Sequence, residues 1–194
     1  MSRSRLWMLA ATWAVLPVLL ASCATNPVTH KSEISLVSPA QELEIGKQGY
    51  APVVQEYGLY DDAALQAYVN VVGQKVARVS HLPDLDWHFT VVDDAAINAF
   101  AMPGGYIYIT RGLLAYLNSD AQLAGVLGHE IGHVTRRHTA AQMTQQQLYG
   151  AGLALGSILS PTFQRYSGAA QQALSLLFLK FSRTDETQAD ELGV

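Results

Sequence analysis

His129-Glu130-Ile131-Gly132-His133 sets two histidines four residues apart, with a glutamate directly after the first. On a helix, residues i and i+4 lie on one face. Both imidazoles can therefore reach one small cation, and zinc favours such nitrogen donors in tetrahedral array. Glu130 stands about 100° further round the same helix, where it flanks a metal without ligating it. A water on such a metal has its pKa lowered to about 7, and a carboxylate beside it serves as general base. The chemistry is metal-assisted hydrolysis.

The surroundings of the motif oppose the plainer reading of a solvated helix that binds nothing. Leu123, Val126, Leu127, Ile131 and Val134 form an apolar stripe at helical spacing, and Ser119 or Asp120 supplies an N-cap. Gly125, Gly128 and Gly132 each cost a helix about 1 kcal/mol against alanine. Small residues there let another backbone or a substrate come close.

A catalytic zinc site needs a third protein ligand and an open position. Near the end of the chain, Glu186 and Asp190 are again spaced i and i+4. One can bind the metal while the other accepts the free N–H of a ligating histidine, which fixes the tautomer. Spacing does not say which does which. Asp185 and Glu191 compete with them, and an exposed acidic helix face is the ordinary alternative.

The motif, followed by Ser182-Arg183, Glu186 and Ala189-Asp190, resembles the metallopeptidase family of HtpX and the CAAX prenyl proteases, nearest to its periplasmic, BepA-like lipoprotein branch. The resemblance extends over Asn98 to Ile109, over Gly112-Leu113-Leu114, and to Arg137 and His138 beyond the motif. It implies one zinc per chain, with His129, His133 and Glu186 as ligands and Glu130 as catalytic base. It makes Asp190 the partner of a ligating histidine. It also implies an α+β, mostly helical zincin-type domain with a small antiparallel sheet or hairpin beside the H-E-x-x-H helix. In relatives the group that stabilises the oxyanion tends to lie C-terminal to the third ligand. The chain ends at Val194, a few residues past Glu186, so it is expected to be a fragment of a longer protein.

The elements that must position these residues follow from pattern. Pro39 to about Tyr57 reads as a helix, with Pro39 near its start and Gly58 after its end. Asp61 to about Ser80 reads as another, striped by Leu65, Tyr68, Val69, Val72, Val76 and Val79. Trp87 to Val92 alternates as a strand. Asn98 to Met102 and Tyr106 to Thr110 flank Pro103-Gly104-Gly105 as a hairpin. A short helix at Gly112 to Leu117 leads to the motif helix. Gly150 to Gly156 and then Pro161 are expected to break a weakly amphipathic helical region, and a last helix starts near Gly168 and runs to, or restarts before, Glu186.

Two further expectations concern the site. An exposed sheet edge at the hairpin can take a peptide as an added strand; the resemblance puts Asn98, Ala99, Phe100 and Ala101 beside the metal cleft. The plainer reading has Phe100, Ile107 and Ile109 simply packing the core. His138 reads as a charged helix end rather than a neighbour of the site. His30, His81 and His88 read as surface residues.

At the N-terminus, Met1 to Arg5 is basic, and Leu6 to Leu20 is apolar but shorter than the about 20 residues a membrane span needs. With Leu20-Ala21-Ser22-Cys23 following, residues 1–22 resemble a lipoprotein signal, cleaved before an acylated Cys23. Cys23 is the single cysteine, so no intramolecular disulfide forms. Alanine at position 24 favours, by resemblance, an outer-membrane lipoprotein facing the periplasm. Residues 23–38 read as an exposed tether and 39–194 as one catalytic domain. The net charge of −4 with no basic stripe gives no footprint for nucleic acid.

These readings converge on a zinc metalloendopeptidase that cleaves protein substrates in the periplasm or outer membrane. A chaperone or assembly factor for outer-membrane proteins, with weak or no proteolysis, is the second reading. A metal hydrolase of non-peptide substrates is a third, disfavoured by the edge hairpin.

Overall fold

The structure is a computed structural model and describes residues 23–159 and 181–193. The expected signal segment, 1–22, Pro161 and the stretch from Gly168 lie outside the described residues. The architecture is α+β, with helices packed on a small sheet.

Helix α1, Pro39–Tyr57, opens on a capping box. Ser38 accepts from the Gln41 backbone, and the Gln41 side chain accepts from the Ser38 N–H. Helix α2, Ala63–Ala77, is capped by Asp62. It is shorter than the expected 61–80: Asp62 caps its start by accepting from the Leu65 N–H, and it stops at Ala77 with Arg78 as C-cap.

Strands β3, His88–Val92, β4, Ala99–Met102, and β5, Tyr106–Thr110, lie in the order β3-β5-β4. The hairpin forms as expected, β4 antiparallel to β5 with Ala99 opposite Ile109. Its tight Pro103–Gly105 turn needs left-handed backbone at Gly104 and Gly105, with φ of 78° and 91°. Strand β3 adds on the far side, parallel to β5, so the small sheet is mixed. Strand β4 is left on the edge.

After the short helix α3, Arg111–Leu114, comes α4, Asp120–Thr135, which carries the histidine motif. Ser119 is its N-cap, accepting from the Gln122 N–H. Leu123, Leu127, Ile131 and Val134 bury the expected stripe against Val69 and Val72 of α2 and against Phe89, Val91, Ile107 and Ile109 of the sheet. Val126 is only partly buried at the margin.

Helix α5, His138–Leu159, runs through Gly150 and Gly156 without the expected break. Each glycine weakens a helix without ending it, since it still supplies its N–H and C=O to the ladder. Helix α6, Arg183–Gly193, crosses α4 and ends the described chain. Among the described residues, no helix is long and apolar enough to cross a membrane.

Residues 23–38 are not the free tether that their polarity suggested. Strand β1, Cys23–Thr25, pairs antiparallel with β2, Ser32–Ile34. Asn26 is fully buried between them. It donates to Glu33 and to the Arg136 carbonyl, while its own oxygen accepts from the Val28 and Thr29 amides. Val37 is buried too, and its carbonyl accepts from Arg137. One polar residue, Asn26, satisfies a buried turn, while Thr29 to Glu33 stay exposed.

Candidate metal centre

Helix α4 delivers His129 and His133 one turn apart, with their Nε2 atoms 3.1 Å apart. Helix α6 brings Glu186 Oε2 to 3.3 Å from His129 Nε2 and 4.0 Å from His133 Nε2. Ligand bonds of roughly 2.0–2.1 Å in tetrahedral array put neighbouring donors about 3.3–3.4 Å apart. Two sides of the observed triangle lie near that separation and the third, from His133 to Glu186, is longer; the three donor atoms lie within 4.8 Å of one another. Asp190 Oδ1 stands 2.9 Å from His129 Nδ1, so the carboxylate accepts the Nδ1–H and leaves Nε2 free to ligate. Of the two carboxylates, Glu186 lies beside both Nε2 atoms and Asp190 lies behind His129.

This convergence depends on glycine. A Cβ on Gly132 would sit 2.9 Å from the Ala189 carbonyl oxygen, and one on Gly128 would sit 2.8 Å from that of Gly193. The backbones of α4 and α6 touch at these two points, which is what lets a carboxylate of glutamate length reach an imidazole. Gly125 meets nothing within 4 Å. The expectation of a close approach therefore applies to two of the three glycines, and the approaching backbone is α6.

Electrostatics suit the assigned roles. Burial lowers His133 to about 4, helped by the neighbouring His138 and His129, so the ring is neutral near pH 7 as a metal ligand must be. Burial pushes Glu130 up to about 7; His129 opposes this and Glu186 adds to it. Glu130 is buried beside His129 and stands outside the three-donor cluster.

A cleft of about 690 Å³ opens over the centre, lined by His129, Glu130, His133 and Glu186 and by Asn98, Ala99, Phe100 and Ala101 of the edge strand region. The edge residues are thus brought beside the metal position. Phe100 also stacks on Tyr108 at 5.0 Å, and Ile107 and Ile109 of the hairpin are buried in the core. The lining also includes Thr139 and Gln142 of α5, which no sequence pattern singled out.

His138 corrects its reading as a charged helix end. It is 5% exposed, its Nδ1 lies 2.9 Å from His133 Nδ1, and burial lowers its pKa. The physical reason is the turn before it: Arg137 adopts left-handed backbone, φ 59°, which folds the chain back onto α4. Buried Arg137 is fixed there by Glu42 and the Val37 carbonyl. Phe181 was also missed; its ring stacks on His133 with centroids 4.1 Å apart. His30 is exposed as expected. So is His81, whereas His88 is half-buried, stacked on Tyr106 at 4.3 Å. Asp185 caps its own helix start through Ser182, and Glu191 makes no part of the donor cluster.

Residues 63–194 match the model of peptidase family M48. The chain belongs to this family. It is 32% identical over 189 residues to the beta-barrel assembly-enhancing protease of Escherichia coli (strain K12), an alignment covering 93% of this chain and 39% of that relative. It is 31% identical over 180 residues to the mitochondrial metalloendopeptidase OMA1 of Schizosaccharomyces pombe, covering 87% of this chain and 50% of the relative. To OMA1 of Arabidopsis thaliana it is 34% identical over 143 residues, covering 72% and 28%. The chain thus spans half or less of the length of these curated relatives. M48 membership agrees with the metal-dependent character of the donor set.

Proposed function

We propose that the chain is the catalytic part of a zinc-dependent endopeptidase that hydrolyses peptide bonds in periplasmic or outer-membrane proteins. The observation that carries the reading is the His129–His133–Glu186 donor triangle set beside buried Glu130 and open to an edge strand. Two neutral imidazoles and one carboxylate form a donor set suited to zinc, leaving a fourth position for water or substrate. When bound, zinc supplies a Lewis acid that polarises the attacking water and the scissile carbonyl.

The proton work belongs to Glu130. It takes a proton from the attacking water and returns it to the leaving amine. Its burial beside His129 places the carboxyl where it can reach a water held at the donor triangle. Asp190 holds the His129 ring in the ligating tautomer. The edge of β4, through Ala99 to Ala101 with Asn98 beside it, lines up an extended peptide by adding it as a strand. Peptide substrates are therefore favoured over small esters or amides.

Location belongs to the same proposal. Residues 1–22 act as a lipoprotein signal, acylated Cys23 anchors the protein at the outer membrane facing the periplasm, and residues 39–194 form the catalytic domain. Mass spectrometry of the mature N-terminal peptide checks this directly: an unmodified Cys23 ends the anchor.

The deciding experiment is metal analysis of the purified chain, paired with casein hydrolysis before and after chelation. About one zinc per chain, with hydrolysis lost on chelation and restored by zinc, is expected. A chain without stoichiometric metal overturns the site. The beta-barrel assembly-enhancing role named for the Escherichia coli relative favours a second reading, an assembly factor for outer-membrane proteins in which cleavage is secondary. Glu130→Gln separates them: loss of cleavage with unchanged outer-membrane assembly supports the binding role.

A further inference from the structure

Behind His133, at the junction of α4 and α5, runs a chain of side chains, His138, Gln188 and Arg136, with no part in the chemistry described so far. His133 Nδ1 lies 2.9 Å from His138 Nδ1. His138 Nε2 lies 3.1 Å from Gln188 Oε1 on α6. That same oxygen accepts from Arg136, from Nε at 2.9 Å and from Nη2 at 2.8 Å.

The direction of each bond follows from what each atom can be. A guanidinium has only donors, so the Gln188 atom facing Arg136 is the carbonyl oxygen. A carbonyl oxygen only accepts, so His138 Nε2 carries a proton. In a neutral imidazole the other nitrogen is then the acceptor. His138 Nδ1 therefore accepts, and His133 Nδ1 must donate. This leaves His133 Nε2 as a bare lone pair aimed at the metal position. Asp190 imposes the same state on His129 from the other side. Two such lone pairs 3.1 Å apart repel each other, and a shared cation is what reconciles them.

We infer that His138 is the positioning residue of the metal centre: by accepting the His133 Nδ1–H it holds His133 in the tautomer that binds metal through Nε2. The inference rests on the metal-site reading proposed above. It gives α6 a third duty besides supplying Glu186 and Asp190, because Gln188 orients His138. It also gives the left-handed turn at Arg137 a purpose, since without it α5 would not start with its first side chain against His133. The two ligating histidines thus have unlike supports. His129, 26% exposed, takes a carboxylate; His133, 2% exposed, takes a neutral ring, where a second buried carboxylate would carry a desolvation cost.

The test compares zinc binding by the full chain, wild type, His138→Leu and His138→Asn, by competition with a chromophoric chelator. Leucine removes the acceptor, whereas asparagine keeps an oxygen for His133 and an N–H for Gln188. His138→Leu is expected to weaken zinc binding about 10- to 100-fold, and His138→Asn to recover most of the loss. Wild-type affinity in His138→Leu overturns the inference, as does His138→Asn binding no better than His138→Leu. Long-range ¹H–¹⁵N NMR of zinc-loaded wild type reads the tautomer whatever the variants' folding. A proton on His133 Nδ1 with Nε2 bound is expected; ligation through Nδ1 overturns the inference. A wild type that binds no zinc removes the metal-site reading and this inference together, whereas a wild type that binds it beside an unaffected His138→Leu removes this inference alone.

Discussion

Helix α4 has two working faces that obey different rules. One carries Leu123, Leu127, Ile131 and Val134 into the apolar core against α2 and the sheet. The other presents Gly128, Gly132, His129 and His133 to α6, with the two backbones in contact at the glycines. The first face works by area removed from water, a non-directional quantity that survives small shifts. The second works by donor positions, where a few tenths of an ångström decide whether Glu186 closes the triangle. Stability and chemistry are thus lodged on opposite sides of one helix, and each side can be damaged separately.

The sharpest break of that comparison is chemical. Glu130→Gln should lower kcat/KM by about a hundred- to ten-thousand-fold while zinc content and melting temperature stay near wild type. Retained hydrolysis with zinc bound would remove Glu130 from the proton transfer.

On the core face, Leu127→Ala should cost about 2–5 kcal/mol in urea denaturation, with zinc stoichiometry unchanged in the folded protein. Loss of zinc before loss of fold would mean the two faces are not separable.

Protonation connects them with a definite sign. In the chelated protein, native Glu130 holds its proton up to about 7, against 4.5 for an ordinary glutamate, so its contribution to stability is lost as pH rises through that window. Native His133 titrates at about 4, against an ordinary 6.5, so its contribution is present above 6.5 and lost as pH falls through 4. The two oppose each other between 4.5 and 6.5. Removing the first by Glu130→Gln should leave the chelated variant gaining on wild type as pH rises, by roughly 3 kcal/mol across the window. A stability difference independent of pH would mean Glu130 is not raised.

On the α6 face, Gly132→Ala should weaken zinc binding about 10- to 100-fold, the scale of other supporting changes around a metal, because the new Cβ drives α6 outward. Gly125→Ala, at the open glycine, is the control and the smallest effect. It should stabilise the chain by about 0.5–1 kcal/mol with zinc affinity unchanged. Equal loss of zinc in both variants would show that helix dynamics, and not the α4–α6 contact, governs the site.

Much of the core face was legible because burial periodicity is local: the stripe of α4, the α1 boundaries and the hairpin turn all follow from short patterns. The candidate donors were visible for the same reason, as two i, i+4 pairs, although spacing did not separate Glu186 from Asp190. What escaped were contacts made by backbone geometry. Nothing in Arg136-Arg137-His138 announces a left-handed arginine, so His138 looked like a helix end. Nothing in the polar run of residues 23–38 announces that Asn26 is buried against the Arg136 carbonyl.

By itself, the sequence determined which atoms can ligate and which can move a proton, because side-chain chemistry and helical spacing are properties of neighbours along the chain. Tertiary structure alone decided that Glu186 comes beside both Nε2 atoms while Asp190 and His138 sit behind the histidines. Those roles are set by how closely two helices cross and how one turn is folded, and distances between remote segments are fixed only once the backbone has packed.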